Sequence, residues 1–154
     1  NPCPWCHRVK LTLNLLDIPK DVVSVTNLVD DPVKASRGGW VFGRSDPDPL
    51  FSCSDLRQLY DRLSEGGTFQ GRCTAPLLVN KQTKQIISNE SSQICRMLNK
   101  LAQERKSSSP NLDLVPPELQ ESIDKTNEWV YTLLNNGVYR CGFSTTQKAY
   151  EQAT

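Results

Sequence analysis

Residues 1–16 read NPCPWCHRVKLTLNLL. Pro4 is tolerated in a first helical turn, where its missing N–H has no acceptor to lose, and the apolar set Val9, Leu11, Leu13, Leu15, Leu16 and Ile18 follows. The stretch predicts a largely buried helix over 4–16 that stops before Pro19, with Cys3 at its N-terminus. A thiol becomes a nucleophile when it ionises, and the free amides and positive dipole end of a helix start favour the thiolate. Cys6, one turn later, stands where C-x-x-C redox motifs place their second thiol.

Cys3-Pro4-Trp5-Cys6-His7, taken alone, leaves four readings open: a redox catalyst, a haem attachment site, a zinc site, or a bare helix start. Haem attachment requires export and an axial ligand, and the chain has a single histidine, so Met97 alone would have to serve. Zinc requires a fourth ligand from cysteines scattered along the chain. Neither metal nor haem is expected.

The 154 residues suit one domain plus part of a second. Hydrophobic residues make up 37% and charged residues 23%, and no apolar run is long enough to cross a bilayer, so a membrane-spanning role is excluded. The 18 Lys and Arg are interspersed with 17 Asp and Glu, which leaves no concentrated cationic surface for nucleic acid. The six cysteines are too sparse for a disulfide-stapled scaffold, and no secretory signal precedes them; thiols in a reducing compartment are expected.

Val22, Val23, Val25 and Leu28 predict a short buried strand, followed by a long irregular segment, DDPVKASRGGWVFGRSDPDP. Leu56, Leu59, Tyr60 and Leu63 predict an amphipathic helix ending at Gly66-Gly67. CTAPLLVN and KQIIS read as a hairpin, and NESSQICRMLNKLAQ as a capped helix with Ile94, Met97, Leu98 and Leu101 on one face. With one strand in front, this is the thioredoxin-like order of an α/β domain over residues 1–103; that first strand is absent. A linker over 104–117 precedes residues 118–154, where Leu119, Ile123, Trp129, Val130 and Leu133 predict a long helix to about 136. A turn at Asn135-Asn136-Gly137 and a further helix after Thr145 complete the start of an all-α second domain.

Five segments occur in order: Cys3-Pro4-Trp5-Cys6-His7-Arg8, Gly38-Gly39-Trp40-Val41-Phe42, Gly71-Arg72-Cys73-Thr74-Ala75-Pro76, Asn89-Glu90-Ser91-Ser92 and Asn135-Asn136-Gly137-Val138-Tyr139-Arg140. Together they resemble the glutathionyl-hydroquinone reductases, the xi-class branch of the glutathione transferases, across nearly the whole chain. Omega-class transferases share a cysteine before Pro and an aromatic, but neither the Gly-Gly-Trp loop nor the Asn-Asn-Gly-Val-Tyr-Arg segment.

The resemblance implies that Cys3 is the nucleophile and Cys6 a candidate resolving thiol. It implies that Pro76 is the cis-proline of a glutathione site, with the Ala75 backbone pairing with the cysteinyl part of glutathione. Glu90 and Ser91 then hold the γ-glutamyl end, Trp40, Arg72 and Cys73 line the same site, and Tyr139 donates a hydroxyl in a quinol pocket. Glutathione is implied as co-substrate and glutathionylated quinols as substrates, with a homodimer for the full-length protein in cytosol or plastid stroma. The bland alternatives are that Asn89, Glu90 and Ser91 only cap a helix, and that Tyr139 only packs. Two rival functions stand beside the reductase: an omega- or glutaredoxin-like thiol transferase acting on dehydroascorbate or mixed disulfides, and a non-catalytic glutathione-transferase-like binding module. Compared with the family pattern, the chain lacks the first strand and most of the helical domain, and is expected as a fragment that folds poorly alone.

Overall fold

The structure, a computed structural model, describes residues 3–105 and 112–154, and of residues 35–37 the backbone only. The expected linker over 104–117 therefore lies partly outside the described residues. The chain divides into two compact units, Asn1–Leu112 and Asp113–Thr154.

The first unit runs α1 (Pro4–Leu15), β1 (Leu28–Asp30), β2 (Trp40–Phe42), α2 (Leu56–Leu63), β3 (Leu78–Asn80), β4 (Gln85–Ser88) and α3 (Ser91–Arg105). Cys3 is the N-cap of α1, in extended geometry with Pro4 at the first helical position. The helix is less buried than its apolar content predicts: Thr12, Leu13 and Leu16 are buried, whereas Leu11 and Leu15 are nearly half exposed. The reason is that α1 has one extensive packing partner, α3, which covers a single face. On α3 the buried residues are Ser91, Ile94, Leu98, Asn99 and Ala102. This rotation leaves Met97, expected on the inner face, 41% exposed.

The strand predicted from Val22 forms only from Leu28 onward. The amides of Val22 and Val23 both donate to the Pro19 carbonyl at 3.0 Å, which folds that stretch into a turn. β1 finds its partner in β2, inside the segment predicted to be irregular, with antiparallel register Leu28↔Phe42, Val29↔Val41 and Asp30↔Trp40. The rest of that segment winds around Asp48, a buried carboxylate that accepts the amides of Leu50 (3.0 Å), Phe51 (3.1 Å) and Cys53 (3.0 Å). This replaces backbone pairing that the loop has no strand to supply.

The loop thereby delivers Cys53 to a buried cluster with Leu56, Leu59 and Tyr60, against which Trp40, Phe42, Cys73 and Ala75 pack. The expected helix forms as α2 on an Asp55 cap that accepts the Gln58 amide at 2.9 Å, but it ends at Leu63, ahead of the expected Gly66 and Gly67, which follow at φ 78° and 72°, angles that favour glycine. β3 and β4 form the expected antiparallel hairpin, its turn held by Asn80 Oδ1 accepting the amides of Gln82 and Thr83. The strands make two separate antiparallel pairs, β1–β2 and β3–β4.

The second unit comprises α4 (Gln120–Trp129), a π-helical stretch Val130–Asn135, α5 (Asn136–Gly142) and α6 (Gln147–Glu151). The turn expected at Asn135-Asn136-Gly137 does not form. Asn136 takes helical angles (φ −80°, ψ −21°), and the wider turns of the π stretch carry the helical path through to Gly142. The Arg140 guanidinium donates to the Thr132 carbonyl at 3.0 Å across this stretch. No helix among the described residues is long and apolar enough to cross a membrane.

Candidate functional site

α1 carries Cys3 at its start, and the Cys6 amide donates to Cys3 Sγ at 3.2 Å, one of the orphan donors of a first helical turn meeting sulfur. Cys3 is buried, at 8% exposure, and its Sγ lies 3.7 Å from the Ala75 carbonyl and 2.6 Å from Cys6 Sγ. The Ala75–Pro76 peptide is cis. Tyr60, fully buried in the cluster, fixes the approach to this peptide by donating its hydroxyl to the Thr74 carbonyl at 2.8 Å. Cys3 and Cys6, at the start of α1, are thus brought against the Ala75–Pro76 peptide, Ala75 lying 72 residues along the chain from Cys3.

The two thiols are not equivalent. Burial, then the hydrogen bond and charge of Cys3, push Cys6 up from the ordinary 9.0 to about 12, so Cys6 keeps its proton at neutral pH. Cys53 is pushed up to about 11, first by burial and then by Asp48, which suits a core thiol. All six cysteines are free thiols. Among the described residues no group of three His, Cys, Asp or Glu side chains is arranged to hold a metal ion.

Glu90 and Ser91 stand where α3 begins. The Glu90 carbonyl accepts the Ile94 amide and its Oε1 accepts the Ser92 amide at 3.2 Å, so Glu90 caps α3 through one carboxylate oxygen. Arg8 joins this terminus to α1, donating Nε and Nη2 to Ser91 Oγ at 2.9 and 2.6 Å and facing Glu90 Oε1 at 3.5 Å. Its guanidinium also sits 4.8 Å from the centre of the Trp5 ring. Sequence reasoning assigned neither Arg8 nor Trp5 a role, although their i, i+3 spacing places them on one helical face.

Trp40, in β2, packs against the Cys53–Tyr60 cluster, as does Cys73, while Arg72 is exposed in the loop ahead of Thr74. Tyr139 belongs to the second unit, within α5, where its ring stacks on Phe143 at 6.3 Å. That unit also bears an open groove of about 600 Å³, lined by Leu133, Leu134, Val138, Cys141 and Tyr150 among others.

A thiol capping a helix opposite a cis-proline loop, with a second helix start alongside, defines a thioredoxin-like domain. Residues 2–101 match the family model described as "Glutathione S-transferase, N-terminal domain". The glutathionyl-hydroquinone reductase PcpF of Sphingobium chlorophenolicum is 42% identical over 98% of this chain and 47% of its own length. The glutathione-bound structure of YqjG, a glutathione transferase homologue from Escherichia coli, superposes with a TM-score of 0.84 at 35% identity, over 98% of this chain and 48% of that one. Glutathione transferase Xi 1 from Trametes versicolor gives 0.82 at 36% identity, over 98% and 52%. The chain belongs to the glutathione S-transferase family, where its relatives are glutathionyl-hydroquinone reductases and xi-class transferases. It spans about half the length of the curated relatives it matches.

Proposed function

We propose that the protein reduces glutathionyl-hydroquinones to hydroquinones at the expense of glutathione, with Cys3 as nucleophile. The observation that carries this reading is the Cys3 sulfur at the start of α1, hydrogen-bonded by the Cys6 amide and facing the carbonyl before cis-Pro76. In the first step the Cys3 thiolate attacks the glutathionyl sulfur. The sulfur–sulfur bond forms, the ring carbon–sulfur bond breaks, and the ring carbon takes the electron pair and a proton to leave as hydroquinone. In the second, the thiolate of another glutathione attacks the mixed disulfide, returning Cys3 as thiolate and departing as oxidised glutathione.

In this reading the Ala75 backbone receives the cysteinyl part of glutathione. Glu90 and Ser91 receive the γ-glutamyl end, Trp40, Arg72 and Cys73 belong to the same region, and Tyr139 serves the quinol. A glutathione-rich compartment and a homodimer of the whole protein fit this chemistry. Intact-protein mass spectrometry after incubation with a glutathionyl-hydroquinone tests it. A single glutathione adduct on the native chain, absent in Cys3→Ser and accompanied by free hydroquinone, is the expected result. No adduct on the folded native chain would sink the reductase and favour a binding module.

The contact of 2.6 Å between Cys3 Sγ and Cys6 Sγ supports a second reading, a thiol transferase of omega or glutaredoxin type. Turnover of a mixed-disulfide substrate without turnover of a glutathionyl-hydroquinone would decide for it.

A further inference from the structure

Arg8 is a cation that the reaction above leaves without work, yet it makes the densest set of polar contacts near Cys3. Both of its donors, Nε and Nη2, end on one atom, Ser91 Oγ, at 2.9 and 2.6 Å. A hydroxyl oxygen that accepts two N–H bonds has used its lone pairs, so its own hydrogen points away from the guanidinium as a donor. Ser91 is buried at 3% exposure while about a third of the Arg8 side chain is open to solvent, so a partly hydrated cation orients a hydroxyl that is itself almost wholly shielded.

Glu90 is pinned in the same manner. Its contacts with the Ser92 amide (3.2 Å), the Ser92 hydroxyl (3.1 Å) and Arg8 (3.5 Å) all fall on Oε1. Among the described residues none falls on Oε2, which leaves that oxygen to receive a cation. The Trp5 ring, 4.8 Å from the guanidinium carbon, holds Arg8 from the α1 side. A donor hydroxyl backed by a positive charge, beside a carboxylate with one unused oxygen, complements an α-amino-acid zwitterion: carboxylate to Ser91, ammonium to Glu90.

We propose that Arg8 is the positioning residue of the γ-glutamyl subsite, aiming the Ser91 hydroxyl and the Glu90 carboxylate at the two charges of that end of glutathione. The inference rests on the glutathione reading given above. Arg8 does not touch the reacting sulfur, so its loss weakens the recognition of one end of the ligand and leaves the other end unaffected.

The test is calorimetric titration of the 154-residue chain with glutathione and, in parallel, with cysteinylglycine, which keeps the thiol and glycine but lacks the γ-glutamyl group. In Arg8→Met the glutathione Kd rises about tenfold while that of cysteinylglycine stays unchanged, the size expected for loss of one charge-assisted arrangement. Arg8→Lys, which keeps the charge but cannot present two coplanar donors to one oxygen, lies between. In a Ser91→Ala background the further effect of Arg8→Met shrinks to less than half. Equal weakening of both ligands, or full additivity with Ser91→Ala, would show a merely structural role and overturn the proposal. If Arg8→Met does not fold, Arg8→Lys decides: a glutathione Kd equal to the native one overturns it. Failure of the native chain, its fold verified by circular dichroism, to bind glutathione removes the parent reading instead, and this proposal with it.

Discussion

The difference between the two thiols of the Cys3–Cys6 pair is large enough to be measured in a competition experiment. Cys6 stands at about 12 where an ordinary thiol stands at 9.0, burial being the largest cause and the neighbouring Cys3 the next. At pH 8 a thiol displaced that far is ionised in about one molecule in ten thousand, against about one in ten for the ordinary case. Its thiolate, being the stronger base, recovers about 20-fold in intrinsic nucleophilicity at a Brønsted slope of about 0.4–0.5, so the net deficit is about 40-fold. The assay is limiting iodoacetamide at pH 8 with N-acetylcysteine as internal competitor, followed by peptide mapping of singly alkylated chains. Cys6 should label about 40-fold more slowly than the competitor, and its rate should climb close to tenfold per pH unit from 8 to 10. In Cys3→Ser the charge and hydrogen bond of Cys3 are gone while burial persists, so Cys6 should speed up without reaching the competitor. Labelling of Cys6 at the competitor's rate in the native chain would refute the reasoning and restore Cys6 as a standing nucleophile. A slow Cys6 is instead a thiol that keeps its proton while Cys3 is free.

Two further outcomes follow from buried groups. Asp48→Asn keeps one acceptor oxygen for three amides; with that oxygen on the side of Phe51 and Cys53, an N–H faces the Leu50 amide, and the loss of about 2 kcal/mol should lower the urea midpoint at an unchanged slope. An unchanged midpoint would mean that the loop does not depend on its carboxylate. Cys6 and Cys53 are both acids raised in the folded state, to about 12 and about 11, so the stability they contribute is fully present below pH 9.0 and is lost as pH rises toward those values. Urea unfolding should therefore show a decline setting in above pH 9, reduced in Cys53→Ala; a flat profile to pH 11 would contradict both shifts.

Legibility in the sequence followed the range of the forces involved. α1, α2, the β3–β4 hairpin and α3 are written in local terms: Pro4 at a first turn, Asp55 and Glu90 as caps, Asn80 folding back on its own turn. β2 was not legible, because Trp40–Phe42 is too short to show a period and becomes a strand only by meeting Leu28–Asp30. Val22–Val25 failed in the opposite sense: an apolar run has strand propensity, but without a neighbouring strand the amides of Val22 and Val23 turned to Pro19. In the second unit the Asn-Gly signal at Asn136 and Gly137 was overridden by a helical path that widens rather than breaks.

The helix start at Glu90 shows why the capping and ligand-holding readings of the same residues were never true rivals. A helix N-terminus concentrates unsatisfied donors and partial positive charge, so it needs an anion, and a cap carboxylate answers that need with one of its oxygens. Glu90 commits Oε1 to the Ser92 amide and to Arg8, and Arg8 in turn takes up the acceptor capacity of Ser91 Oγ. What is left over, one carboxylate oxygen and one hydroxyl hydrogen, has the polarity opposite to an ammonium and a carboxylate respectively. A cap that consumed both oxygens of Glu90 would have ended its chemistry there. Because the cap takes half of the group's capacity, capping α3 does not exclude the proposed recognition of a ligand, and in that proposal the residue that enforces the division is Arg8, on the helix that also carries Cys3.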